Sequence, residues 1–382
     1  MTYLKTVFLG FLALCFAVHA QALETKARAA FVMDFNTGTV LLEKNADESL
    51  PPASMSKLMT LNMVFEALDD GRLTLDETLP VSEHAMSYGG STMFLTTRDR
   101  VKVEDLIQGV IVLSGNDACA VLAEALAGSE PEFARLMTKR AKQLGMTNST
   151  FANSNGWPDP NQRMSARDLV TLATRLIRDF PQYYHYFSET EFAFDNRAPD
   201  NRHNRNPLLK LGIGADGLKT GHTSEAGYGV VGSGIKNGRR IILMVSGLES
   251  DDDRAREAEK LMNWGFRQFV EKKILTAGQK LGSLDLWLGQ SRSIDLEVQK
   301  DVTVLLPVSL RGQLKGTIKA REPVQAPVQQ GQELAVLTIE VTDMPNILVP
   351  LVAAQTVKES GLFSRFSLAA GIMMRSMPFV GN

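Results

Sequence analysis

The sequence predicts an α/β (α+β) domain in which helices pack on one sheet, followed by a small all-β domain and a C-terminal amphipathic helix. Three observations carry this. Strand patterns come first, helical patterns follow, and strand patterns return before residue 275, the order expected of one layered sheet-and-helix unit. From Gly278 the chain turns to short strand-like runs broken by Gly, Pro307, Pro323 and Pro327. The last 25 residues alternate at a helical period.

In order, "AAFVMDFNTGTVLLEKNAD" reads as two strands about a turn at Asn36, Thr37 and Gly38. Helical periodicity covers Met55 to Leu68, "VEDLIQGVIVLSGNDACAVLAEALAG", "PEFARLMTKRAKQLG" and "SARDLVTLATRLIRDF". Strands resume with "GLKTGHT" and "GYGVVGSGIKNGRRIILMVSGLES", in which Asn237-Gly238 is a two-residue hairpin signal and therefore an antiparallel one. "REAEKLMNWGFRQFV" closes this part as a helix. Beyond it, "DVTVLLPVSL" and "ELAVLTIEV" are strands of the second domain. We divide the chain into residues 1–22, 23–275, 276–357 and 358–382.

The two ends read as export and attachment. Residues 1–22 have one lysine, Lys5, then an apolar run from Val7 to Val18 and small residues at Ala20 and Ala22. That run is too short to span a bilayer and suits a signal peptide cleaved near Ala20 or Ala22. In residues 358–382, Leu362, Phe363, Phe366, Ala370, Met373 and Met377 share one side of a helix, with Ser364, Arg365, Ser367 and Arg375 mostly on the other. Such a helix can lie in a membrane interface, and one docked on its own protein has the same pattern.

Composition excludes several classes. With 44% hydrophobic and 22% charged residues the chain can bury a core and is not disordered. Basic and acidic residues number 41 and 43, and Lys5 belongs to the leader, so bulk charge argues against nucleic acid as a partner. Of two cysteines, Cys15 lies in the leader. Cys119 alone then allows neither an internal disulfide nor a cysteine metal cluster, and reads as a small buried apolar residue.

Chemistry concentrates in three stretches: "SMSK" at Ser54 to Lys57, "SGN" at Ser114 to Asn116 and "KTGHT" at Lys219 to Thr223. A Ser-x-x-Lys match alone is expected about once by chance in a chain this long, so the ordered trio carries the weight. A serine hydroxyl needs a neighbouring base to become a nucleophile, and positions i and i+3 share a helix face, so Lys57 can reach Ser54. Lysine is a base only when neutral, which requires burial or a nearby cation; Lys219 is a candidate cation. Ser114 is a helix N-cap if taken alone. Beside a Ser/Lys pair it can instead relay a proton, with the Asn116 amide holding a substrate backbone. Gly221 lets a substrate approach a strand edge closely, and such an edge can take an extended peptide as an added strand.

The trio resembles the signature of penicillin-binding proteins and class A β-lactamases. More narrowly, "STMFL", "SGNDACA", "SARDL", "NRN", "DGLKTGHT", "AGYG" and "WGFR", spread over residues 25 to 270, resemble the low-molecular-mass D-alanyl-D-alanine carboxypeptidases, the penicillin-binding protein 5/6 group of serine DD-peptidases. The resemblance implies a serine β-lactamase/DD-peptidase-like catalytic domain with an antiparallel sheet, and the β-rich domain and amphipathic tail match that group's architecture. It implies Ser54 as acylated nucleophile, Lys57 as base and Ser114 in proton transfer. Asn116, Lys219, Thr220, Gly221, His222 and Thr223 would bind substrate, His222 through its main chain, which joins that of Ser54 in an oxyanion hole. Arg205 in "NRN" and Arg254 in "DDRAREAEKL", or its neighbour Arg256, stand where the family keeps arginines near the substrate carboxylate; as surface residues they would be ordinary. Asn155 stands where some relatives carry histidine.

The implied activity is removal of the terminal D-alanine from peptidoglycan stem pentapeptides, with β-lactam antibiotics as covalent inhibitors and no metal or other cofactor. Alternatives are a DD-endopeptidase, a β-lactamase and an inactive peptidoglycan-binding scaffold. Class A β-lactamases use a glutamate between the second and third motifs to activate water. No glutamate lies between Glu132 and Glu189, which predicts slow release of bound penicillin.

Overall fold

A computed structural model describes residues 23–197, 199–308, 314–320, 323–340 and 346–361. The expected signal peptide and nearly all of the amphipathic tail lie outside them. No helix among the described residues is long and apolar enough to cross a membrane.

The first unit is built on a five-stranded antiparallel sheet. Its strands are β1 (Ala29–Asp34), β2 (Val40–Lys44), β5 (Ala215–Thr223), β6 (Gly227–Lys236) and β7 (Arg239–Leu248), in the order β2-β1-β7-β6-β5. A short pair, β3 (Thr78–Pro80) and β4 (Arg100–Lys102), stands apart. The hairpins at Thr37-Gly38 and Asn237-Gly238 fall where the turn residues put them, and Asn237 and Gly238 take φ of 52° and 78°, which suits a primed turn. Alternation along the strands separates two faces. Phe31, Val231, Ile242 and Met244 pack into a large helical core, whereas Ala30, Val32, Val230, Ile241, Leu243 and Val245 pack against Ala258, Leu261 and Met262 of a helix on the other face.

The helices are α1 (Lys57–Asp69), α2 (Glu83–Met86), α3 (Val103–Gln108), α4 (Asn116–Ala127), α5 (Glu130–Gln143), α6 (Ala166–Asp179), α7 (Pro181–Tyr184) and α8 (Asp251–Gln268). Helix α6 presents Leu169, Val170, Leu172, Ala173, Leu176 and Ile177 to the core at amphipathic spacing, and Ser165 caps it by accepting from Asp168 N. Helix α4 differs: every residue from Asn116 to Ala123 is buried, so its polar first turn lies inside the protein. Cys119 is among them as a free thiol that burial pushes up to about 12.

Two helix limits depart from the periodicity. The apolar run before "SGND" does not stay α-helical: Gly109–Leu113 form a π turn and Ser114 ends it in the left-handed region at φ 63°. Glycine suits the start of this turn, because a Cβ on Gly109 would lie 2.1 Å from Met93 Sδ. Helix α8 starts at Asp251 rather than near Arg256, since Ser250 accepts from Asp253 N and three aspartates occupy the first turn. It stops at Gln268 because the next residues pair as a strand.

That strand, β8 (Phe269–Leu275), pairs with β11 (Val302–Pro307). Around it the second unit forms a six-stranded sheet from β9 (Lys280–Trp287), β10 (Ser293–Glu297), β12 (Lys315–Ala320), β13 (Val324–Gln325), β14 (Glu333–Glu340) and β15 (Ile347–Ala353). Its own core contains Ile294, Leu296, Val304, Leu306 and Leu351.

Candidate active site

Ser54 lies on a 3₁₀ turn, Ala53–Ser56, that runs directly into α1. Pro51 and Pro52 precede it, and Ala53 adopts φ 47°, an uncommon value for a residue with a Cβ. The turn is wedged between two glycines. A Cβ on Gly156 would sit 2.0 Å from Ala53 O, and one on Gly221 would sit 2.9 Å from Pro52 O. On the side where a Cβ would stand, Gly221 makes room for the protein's own serine turn, which packs on β5. β5 is the last strand of the sheet, so its outer edge pairs with no other strand among the described residues.

Lys57 is 0% exposed, and that number decides its chemistry. Its Nζ donates toward Ser54 Oγ at 3.0 Å, Asn116 Oδ1 at 2.7 Å and the Asn155 carbonyl at 2.6 Å. A neutral amine has two N–H groups and one lone pair. With Asn116 and Asn155 taking the two N–H groups, the lone pair faces the Ser54 hydroxyl. Burial drives the Lys57 ammonium down to about 8 and Arg205 adds repulsion, while Asp117 and Glu130 oppose them. The Cys119 thiol, neutral where Lys57 titrates, adds no charge of its own. Lys219 is itself buried and pushed well below its usual range by burial and then by Lys57 and Arg205.

The second stretch reaches the same cleft from α4. Asn116 Nδ2 donates to Gly89 O at 2.9 Å and its backbone N–H to Ser91 O at 2.7 Å, which aims Oδ1 at Lys57. Gly115, not Ser114, is the N-cap of α4, so the cap role open to Ser114 is not the one it plays. Ser114 is buried two residues before Asn116 on the turn. On β5, Lys219 and Thr220 are buried, and Lys219 Nζ donates to Thr220 O at 3.3 Å. The His222 ring is exposed and stacks on Tyr228 with centroids 3.9 Å apart. Thr223 Oγ1 accepts from Ala226 N at 3.1 Å.

Two arginines close one end. Arg205 donates to Ser91 Oγ, Leu113 O and Asn201 Oδ1 at 2.7–3.0 Å. By surface area it is exposed, yet surrounding protein and Arg254 depress it, as expected for a rim cation facing inward. Arg254 is buried, donates to Arg205 O and Asp251, and lies over the Tyr228 ring. Arg256 points away and pairs with Asp252 and Asp253 on the surface. Arg254 is therefore the one that joins the site.

Sequence reasoning missed the loop opposite Lys57. Asn153 Oδ1 accepts from the backbone of Asn155, Gly156 and Trp157, and Ser154 O accepts from Thr60 Oγ1. What this loop offers Lys57 is a main-chain carbonyl, invisible to any reading of side-chain types; the signal available was the Asn/Gly-rich "SNSNG" itself.

The profile of the D-alanyl-D-alanine carboxypeptidase family matches residues 16–250, and that of the penicillin-binding protein 5 C-terminal domain matches residues 269–359. The chain is 36% identical over 364 residues to the D-alanyl-D-alanine carboxypeptidase DacD of Salmonella typhimurium, covering 93% of this chain and 92% of that one. It is 37% identical to DacC of Escherichia coli, covering 90% and 88%. Among solved structures, penicillin-binding protein 5 of Haemophilus influenzae superposes with a TM-score of 0.78 at 34% identity, covering 88% of this chain and 98% of that one. Penicillin-binding protein D2 of Listeria monocytogenes, solved in its ampicillin-bound form, superposes at 0.58 and 34%, covering 64% and 99%.

Proposed function

The chain belongs to the D-alanyl-D-alanine carboxypeptidase family, and from that premise we propose that Ser54 is its acylated nucleophile and Lys57 the base. The protein is a serine-type D-Ala-D-Ala carboxypeptidase that removes the terminal D-alanine from peptidoglycan stem pentapeptides, and it binds penicillins.

In the proposed step, Ser54 Oγ attacks the carbonyl of the penultimate D-alanine while neutral Lys57 takes the hydroxyl proton. The C–N bond to the terminal D-alanine then breaks as the leaving nitrogen takes that proton from Lys57 by way of Ser114, and water later cleaves the ester. Backbone N–H groups of Ser54 and His222 hold the oxyanion, an interaction worth roughly 3 kcal/mol per donor in such sites. Asn116, Thr220, Gly221 and Thr223 line the peptide, and Lys219, Arg205 and Arg254 meet its carboxylate. The observation that carries this reading is the buried amine 3.0 Å from Ser54 Oγ with its two other hydrogen bonds directed elsewhere.

Mass spectrometry after penicillin exposure tests it. The mass of one penicillin should appear on the peptide containing Ser54 and persist well beyond seconds. An adduct on another peptide would overturn the assignment, and turnover within seconds would favour a β-lactamase. Parallel assays on pentapeptide and crosslinked dimer separate the carboxypeptidase from a DD-endopeptidase.

The proposal extends to location. The leader at residues 1–22 exports the chain to the periplasm, and residues 358–382 hold it peripherally on the inner membrane through their apolar side. Deleting residues 358–382 should release the protein from membranes with hydrolysis of a soluble substrate intact. Undiminished membrane association would defeat the anchor.

A further inference from the structure

Glu130 opens α5 and is 4% exposed, unlike Glu132 in the same turn, which lies on the surface and pairs with Arg135. A first-turn glutamate needs no burial to favour the helix dipole. Here the carboxylate reaches away from its helix. Oε1 accepts from Ser154 N at 2.9 Å and Ser154 Oγ at 2.5 Å, and Oε2 from Tyr88 OH at 2.6 Å and His84 Nε2 at 2.7 Å. Four partners fill the lone-pair sites a carboxylate has. Burial alone would raise its pKa, but the hydrogen bonds from Ser154, Tyr88 and His84 outweigh it and keep the group ionised. With no lone pair left, Glu130 is not a water-activating glutamate.

Ser154 and Asn155 are the two residues whose carbonyls grip α1, through Thr60 and Lys57. We propose that Glu130 is a positioning residue for acylation: it clamps the 153–157 loop so that the Asn155 carbonyl meets the Lys57 amine and turns its lone pair toward Ser54 Oγ. Through Tyr88, whose ring also meets Trp157, the same carboxylate ties the 84–92 rim of the cleft to that loop. This rests on the reading of Lys57 as base. Charged or titratable groups around the amine are Arg205, Asp117, Cys119, Lys219 and Glu130, and those around Glu130 are His84, Tyr88, Lys57 and Cys119.

The test is the acylation rate with a fluorescent penicillin, followed across the Lys57 midpoint of about 8. Glu130→Ala should acylate about 10- to 100-fold more slowly on the alkaline plateau, the cost of a misdirected catalytic group. Glu130→Gln should lose less rate and move the midpoint to lower pH, because one negative charge facing the ammonium has gone. If Glu130→Ala does not fold, Tyr88→Phe, which removes a single donor, should still slow acylation a few-fold. Wild-type rates and midpoints in both Glu130→Gln and Tyr88→Phe would overturn the proposal, even if melting temperatures fell. Lys57→Met serves as control: persisting acylation there would sink the base reading instead.

Discussion

Lys57→Met is expected to lose acylation by penicillin about 10²- to 10⁴-fold, the range a positioned general base supplies, without loss of the fold. The two consequences separate because Lys57 does nothing for the core that an apolar chain of similar length would not. Its burial is unfavourable for the charged form, which is why its pKa falls to about 8. Methionine relieves that cost and leaves Asn116 Oδ1 and Asn155 O each short of a donor, so the melting temperature should stay within a few degrees. In the wild type only the neutral amine can take the serine proton. The rate should therefore rise about tenfold per pH unit below pH 8 and level off above it. The sign for stability follows from the same shift. Between about pH 8 and the ordinary lysine range near 10.5, the unfolded chain binds more protons than the folded one, so this residue makes stability rise with pH in that window and leaves it flat below. Stopped-flow acylation and thermal melts across that range check both; a Lys57→Met protein that acylates at the normal rate would remove the mechanism.

Gly156→Ala is the second large effect, and here fold and chemistry fail together. Gly156 has φ 85°, where an L side chain costs of order 1–3 kcal/mol by itself. Its Cβ would also lie 2.0 Å from Ala53 O, 2.5 Å from Ala53 C and 2.6 Å from Ser56 Oγ. Two of these are backbone atoms and cannot swing aside, so the loop or the serine turn must move. Either movement pulls the Asn155 carbonyl and Ser54 out of register with Lys57, and a displacement near 1 Å is worth about 100-fold in rate. Gly128→Ala is the control. Its φ of 75° imposes similar strain, but nothing lies within 4 Å of the added carbon, so it should lower the melting temperature and spare acylation. A Gly156→Ala protein as stable and as reactive as Gly128→Ala would refute the steric account.

Much of the architecture was legible because it rests on local rules. The 3.6-residue spacing of α6 and the Asn237-Gly238 turn each act over a few residues, so each can be read without knowing the fold. The π turn at Gly109–Leu113 was not legible, because its apolar run has the same spacing an α-helix would have. Nor was the early start of α8, where a three-aspartate turn looks like loop until Ser250 is seen to cap it.

The site divides along the same line. By itself the sequence determined which groups can react: a serine and a lysine one helical turn apart, a Ser-Gly-Asn turn and a Lys-Thr-Gly strand, all defined by residue type and short spacing. Only the tertiary structure decided what makes them reactive. Burial that lowers Lys57, the repulsion Arg205 adds to it, Arg254 over Arg256, and a carbonyl held in place by Glu130 all depend on segments tens of residues apart meeting in one volume. Desolvation and Coulomb energy are functions of distance in space, and spacing along the chain does not encode them.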